Sequence, residues 1–217
     1  TMATGFRTLN GPGCSVVISQ VYGGGGNTGA PFRNDFIELR NQGTTAVSLS
    51  GWSVQYASST GTSWQATPLT GSIAPGGYYL VQQASGGAAG ALMPVADATG
   101  SIAMSGTTGK VALVNATTAL SGACPTAGVV DLVGFGTANC FETAVAPATS
   151  NTLSVMRKGA TCSETNNNAT DFAAVPPLPR NTTDAATSCS VCGVQNETNA
   201  GTEADFCNVQ HPPSVTV

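Results

Sequence analysis

In Trp52-Ser53-Val54-Gln55-Tyr56 the large apolar residues fall on every second position. Trp52, Val54 and Tyr56 therefore share one face of an extended segment, and Ser53 and Gln55 share the other. The same alternation turns Ile37 and Leu39 inward within residues 35–41, and Val47 and Leu49 inward ahead of a Ser50-Gly51 turn. Further strands are expected near residues 15–22, 78–83, 110–115, 129–135 and 153–157. No window of a dozen residues sustains apolar groups at helical spacing. The pattern predicts an all-β chain whose sheets keep one wet face.

Glycine and proline divide the strands. Ala74-Pro75-Gly76-Gly77 reads as a turn, with proline presetting φ and glycine supplying positive φ, directly before Tyr78-Tyr79-Leu80-Val81. Residues 84–109 are rich in Ala, Gly and Ser and predict a long loop over one end of the fold. Pro176-Pro177-Leu178-Pro179 ends the pattern, because consecutive prolines remove amide donors and favour an extended chain. The 217 residues then divide into an N-terminal extension (1–14), a β-domain (15–182), a cysteine-containing extension (183–211) and the start of a following β-domain or linker (212–217). The 183–211 piece has few large apolar groups and needs covalent ties to the domain.

Charged residues make up only 8% of the chain, against about 25% in ordinary soluble domains, so hydroxyl and amide groups are expected to cover the surface. The net charge is −4, and Lys110 and Lys158 are the only lysines. Such a chain has no basic footprint for a phosphate backbone or an anionic membrane, which argues against direct nucleic-acid binding. No run approaches the roughly 18–20 apolar residues that cross a bilayer, and the first residues lack a signal-peptide pattern. The expectation is a mature chain whose export signal has been removed.

The seven cysteines lie in polar, turn-rich segments, as disulfides formed in an oxidising compartment do. Cys124 is expected to pair with Cys140, which bracket one predicted strand. Cys162 is expected to pair with Cys189 or Cys192, the remaining one meeting Cys207, and Cys14 is left over. A zinc half-site at Cys189-x-x-Cys192 is the weaker alternative, since no second such pair accompanies it.

Several residues carry candidate chemistry. Gly23, Gly24, Gly25 and Gly26, followed by Asn27, suggest a phosphate loop, but no Lys-Ser/Thr follows and no helix opens there. A flexible hairpin-end loop, able to shape a ligand surface, is the reading kept. Asp35 and Glu38 lie three apart and so on opposite strand faces, which separates them as an acid/base pair. Asp35, on the face of Ile37 and Leu39, and Asp131, placed with Val129 and Val133, read as buried carboxylates anchored by Arg or by backbone amides. The only histidine, His211, sits in a proline-flanked tail, and no Gly-x-Ser-x-Gly elbow exists, so no catalytic residue is assigned. Glu164, Asn166, Asn168 and Asp171 offer oxygens in one short segment and form a calcium candidate. Against it stand only two carboxylates, no closing bidentate Glu, and the ease with which Asn forms local turns. No other cofactor is required. Asn115, Asn168, Asn181 and Asn196 each begin an Asn-x-Thr triplet, which so Asn- and Thr-rich a chain produces by chance. Trp64 reads equally as a sugar-stacking platform or as a lid on the core.

Six motifs in order carry a family resemblance: Gly23–Asn27 after the first strand; Asn34-Asp35-Phe36-Ile37-Glu38-Leu39 with Asn41; Leu49-Ser50-Gly51-Trp52-Ser53-Val54; Pro75-Gly76-Gly77-Tyr78-Tyr79-Leu80; Gly109-Lys110-Val111-Ala112-Leu113-Val114; and Asp131-Leu132-Val133-Gly134-Phe135-Gly136, with Asn151-Thr152 through Arg157-Lys158 beyond them. Over about three quarters of its length the chain resembles a bacterial lamin-tail domain. The resemblance implies an immunoglobulin-like β-sandwich in which Asp35, Glu38, Asn41, Trp52 and Asp131 are structural anchors. It implies no catalytic residues. Such modules are secreted or displayed at the cell surface beside nuclease, phosphatase or other hydrolase domains, and have targeting, substrate-presenting or scaffolding roles. The expected partners are other domains of the same polypeptide and an extracellular polymer or cell-surface ligand. The alternative is a structural or adhesive surface protein with no enzyme attached.

Overall fold

The computed structural model describes residues 16–189. The alternating segments become strands in chain order: β1 (Val16–Tyr22), β2 (Phe36–Asn41), β3 (Val47–Ser48), β4 (Ser53–Ala57), β5 (Gln65–Pro68), β6 (Ser72–Ile73), β7 (Tyr78–Gln82), β8 (Ala98–Thr99), β9 (Gly109–Val114), β10 (Val129–Phe135), β11 (Ser154–Arg157) and β12 (Phe172–Val175). One sheet has the order β12-β11-β1-β2-β7-β8, a second has β10-β9-β4-β5, and β3 pairs with β6 in a small ribbon. All pairings are antiparallel except β7 with β8. The fold is an immunoglobulin-like sandwich. Between the sheets lie Val16, Ile18, Val21, Ile37, Leu39 and Val81 from one side and Val54, Tyr56, Val111, Leu113, Val133 and Phe135 from the other.

Two bulges set which side chains enter that core. In β1 the register slips between Ile18 and Gln20, so Ile18 and Val21 both point inward while Gln20 and Tyr22 point out. In β10 it slips between Val129 and Asp131. The expected shared face of Val129, Asp131 and Val133 is therefore corrected: Val129 opposes Val114 and joins a second apolar cluster with Leu132 and Trp64, while Asp131 opposes Leu113 on the core side.

The expected wet faces are also corrected. Ser53 and Gln55 are fully buried, because residues 115–124 fold over the second sheet as a flap. Ser53 Oγ donates to Ala116 O (2.6 Å), Gln55 Nε2 donates to Thr118 O (2.9 Å), and Leu120 N donates to Gln55 Oε1 (2.8 Å). The Cys124–Cys140 disulfide ties the flap down. Under it, Lys110 Nζ donates to Gly61 O, Ala123 O and Asn139 Oδ1 at 2.7–2.9 Å and lies 5.4 Å from the centre of the Trp64 ring. Trp64 is 5% exposed and donates to Gly122 O; it is a lid on the core rather than a surface platform.

A strap, residues 176–189, covers the outer face of the first sheet. It exchanges two hydrogen bonds between Gln20 and Leu178 (both 2.9 Å), joins Asn181 to Val95 and Thr182 to Asp97, and lays Thr187 N on Gly76 O. The Cys162–Cys189 disulfide fixes its end. β5, β6, β8 and β12 had no counterpart among the expected strands; at two to four residues they are too short for alternation to register. Within the expected 84–109 loop, Ile102 and Met104 enter the core.

Candidate functional site

Three buried polar centres organise this sandwich. The densest surrounds Arg157, the last residue of β11, whose side chain is fully buried. Its Nη2 meets Asp131 Oδ2 at 2.9 Å, its Nη1 meets Glu164 Oε2 at 2.6 Å and Asp171 Oδ2 at 3.7 Å, and its Nε donates to Ile18 O at 3.0 Å. The guanidinium lies over the Phe172 ring, 4.5 Å from its centre. Burial alone would lower the pKa of Arg157, yet the surrounding carboxylates of Glu164, Asp131, Glu142 and Asp171 raise it above the ordinary arginine value. Asp131 Oδ2 also accepts from Ile18 N at 2.6 Å, joining β10 to β1 across the sandwich. Glu142 completes the cluster: burial, reinforced by the negative charges of Asp131 and Glu164, pushes its carboxyl well above the usual range. Glu164 is pushed up to about 7 by burial, against the pull of Arg157.

The segment beyond β11 holds this centre in place. Asn168, in a helical turn (Asn168–Asp171), accepts at Oδ1 from Gly134 N (2.9 Å) and Glu142 N (3.2 Å), and donates from Nδ2 to Leu132 O (2.9 Å) and Glu142 Oε2 (2.9 Å). Its amide thus pairs with the free edge of β10 as a neighbouring strand would. Asp171 accepts from Thr165 N, Thr165 Oγ1 and Asn167 N, and Glu164 Oε1 accepts from Asn166 N. Of the four residues named for calcium, then, Glu164 and Asp171 come together on Arg157, Asn168 points to β10, and Asn166 closes the turn through its backbone. The loop closes on its own hydrogen bonds.

The second centre lies under the strap. Glu38, fully buried on the outer face of β2, accepts from Arg180 Nη2 (2.7 Å), Arg180 N (2.8 Å) and Ser19 Oγ (2.5 Å). Burial raises its pKa, and the bonds from Arg180 oppose that rise. Arg180 stacks on Tyr78 with 3.9 Å from Cζ to the ring centre, and Arg40 approaches the same ring at 5.0 Å. Arg40 donates to Tyr78 Oη, Ala160 O, Thr161 Oγ1 and Thr187 O. Ala160 and Thr161 belong to a turn in which Gly159, Ala160 and Thr161 all have positive φ. That geometry is costly for a β-branched Thr161, and Arg40 together with Gln42, which donates to Thr161 O, holds it there.

The third centre is Asp35. Its Oδ1 accepts from Gly25 N and its Oδ2 from Met104 N, both at 2.9 Å. Burial pushes the carboxyl up to about 6 despite those amide bonds. Gly23, Gly24, Gly25 and Gly26 are buried rather than free: a Cβ on Gly25 would lie 2.0 Å from Asn34 C, and one on Gly24 2.6 Å from Asn151 Cα. Asn27 is the half-exposed member and donates to Asn151 Oδ1.

Asn41 is buried, donating to Thr45 O and Ile73 O and accepting from Gly43 N; Trp52 is half-buried against the main core. All four cysteines among the described residues are in disulfides. Cys14, Cys192, Cys207, Asn196 and His211 lie outside the described residues. Asn168 and Asn181 are buried, and Asn115 is exposed. The residues that sequence reasoning missed are the basic partners and the fourth acid: Arg40, Arg157, Arg180, Lys110 and Glu142. The available signal was scarcity, because a chain with seven Lys and Arg in all that buries several acids has few cations left to pair with them. Among the described residues, no helix is long and apolar enough to cross a membrane.

A family model described as Lamin Tail Domain matches residues 11–137. β11 and β12, which carry Arg157 and complete one edge of the first sheet, lie beyond that match. Among solved structures the chain is similar to a DUF4876 family protein from Bacteroides thetaiotaomicron, with 16% identity, a TM-score of 0.55, and coverage of 82% of this chain and 75% of that one. A comparison with curated proteins finds no match.

Proposed function

Because this chain belongs to the lamin tail domain family, we propose that it serves as a non-catalytic recognition or scaffolding module of a longer extracellular bacterial protein, working beside a hydrolase domain of nuclease or phosphatase type on the same polypeptide. One observation carries the reading: the buried acids and bases hold loops to sheets and one sheet to the other, Asp35 on Gly25 and Met104, Glu38 on Arg180, and Asp131 on Ile18 and Arg157. Groups engaged in this way contribute to rigidity rather than to turnover. The Cys124–Cys140 and Cys162–Cys189 bridges suit assembly in an oxidising compartment. An 8% charged composition suits a surface that meets neutral polymers.

The test separates turnover from retention. Purified protein is incubated with DNA, RNA, phosphoesters and extracellular polysaccharides, and each is assayed both for product and for binding. The expected result is no product, with retention on a polymer or on the neighbouring hydrolase domain. Product formed at enzyme-like rates would reject the reading, and uniformly negative binding would favour an adhesive or spacer role.

A further inference from the structure

The Arg157 centre contains more acid than base. Asp131, Glu142, Glu164 and Asp171 surround a single guanidinium, and oxygens of Asp131, Glu142 and Glu164 lie within 4.8 Å of one another, all buried. Two of these acids are fixed by donors that require an acceptor. Asp131 receives Ile18 N, Leu132 N and Arg157; Asp171 receives Thr165 N, Thr165 Oγ1 and Asn167 N. Glu142 and Glu164 are served differently. The Glu142 carboxylate meets Asn168 Nδ2. Glu164 Oε2 is buried, touches Arg157 Nη1 at 2.6 Å, and receives no well-directed hydrogen bond.

Neighbouring carboxylates in a water-poor site cannot all ionise together; the pair titrates as a unit and keeps a proton longer than either member would alone. We propose that the buried pair Glu142 and Glu164 retains one proton at neutral pH, and that its loss in alkaline solution unlatches residues 162–171 from the edge of β10. The groups facing the pair are Asp131 from β10, Arg157 from β11, and Asp171 with the neutral Asn168 from the helical turn. Lys158, at the end of β11, holds its Nζ on Thr170 O on the exposed side of the same segment. Only Arg157 offsets the negative charge inside, and it is divided between Asp131 and Glu164. The upward shifts of both glutamates agree with this geometry. The latch is Asn168, whose Oδ1 holds the amides of Gly134 and Glu142 and whose Nδ2 holds Leu132 O and Glu142 itself. A full charge on the pair pushes Glu142 from its place and draws Asn168 off β10.

Carboxyl carbon shifts and amide exchange, followed by NMR from pH 4 to pH 9 in EDTA-treated protein, read the proton and the latch separately. A carboxyl carbon of the pair is expected to titrate above pH 6, and the Gly134 and Glu142 amides to lose protection by about tenfold or more, beyond intrinsic base catalysis, as it does so. Glu142→Gln keeps an acceptor for Asn168, removes one of the two titrating groups, and is expected to leave protection flat with pH. Glu164→Gln serves the same purpose should the first variant fail to fold. Both carbons titrating in the ordinary glutamate range, or wild type and variant losing protection in parallel, would overturn the proposal. So would calcium restoring protection at pH 8 in wild type alone, since a cation rather than a proton would then neutralise the centre.

Discussion

Asp35 illustrates how one side chain links pH to stability. Unfolded, its carboxyl titrates at the ordinary aspartate value of 3.8; folded, burial pushes it up to about 6. Between those limits the folded protein holds a proton that the unfolded chain releases, so this group's contribution is present below pH 4 and is lost as pH rises through 6. Glu38, Glu142 and Glu164 are shifted in the same direction, so the protein is expected to be more stable in mild acid than in alkaline solution. Asp35→Asn is expected to flatten the pH 4 to 6 part of the profile. It is also expected to destabilise by about 1–3 kcal/mol, since one amide oxygen replaces the two carboxylate oxygens now serving Gly25 N and Met104 N. Urea denaturation across that pH range measures both effects.

At the scale of elements, edges and faces decide more than strand propensity. β10 is the edge of its sheet, and Asn168 covers it at Leu132 and Gly134. Replacing Asn168 by Ala strands two buried amides, one carbonyl and one carboxyl oxygen, and is expected to cost about 3 kcal/mol or more, read as a lower denaturation midpoint. Proteolysis should then cut first within 162–171. The strands of β4 and β10 were legible because Val54 and Tyr56, or Val133 and Phe135, alternate with smaller or polar neighbours. Two things were not legible: that Ser53 and Gln55 are covered, because the flap begins more than sixty residues later, and that Val129 leaves the core face, because a bulge adds one residue without changing the local composition.

The whole molecule is closed by long-range ties. The strap brings Arg180 to Glu38 across 142 positions, and Asp131 reaches Ile18 across 113. The Cys162–Cys189 bridge closes a loop with a sequence separation of 27, for which chain entropy gives a stabilisation of about 3.5 kcal/mol. Cys162→Ser is expected to lower stability by up to about that amount and to raise exchange of the Thr187 amide on Gly76 O, while the core strands stay protected. Equal loss of protection throughout the sandwich would show instead that the strap and the core unfold together. Buried ion pairs of this kind contribute little beyond an apolar replacement, yet removing one partner is costly.

Alternation of side chains along residues 16–157, punctuated by glycine and proline, was enough to determine an all-β chain and the inward placement of Asp35 and Asp131, because period and turn chemistry are local properties of the chain. The disulfide of Cys124 with Cys140 was expected from the strand they bracket, whereas Cys162 had two candidate partners until the strap placed Cys189 beside it. Only the tertiary structure decided which cation meets which acid, which faces are wet, and that four carboxylates converge on Arg157. Those outcomes depend on segments distant in sequence meeting in space, where burial sets both the strength of each pairing and the proton affinity of each group.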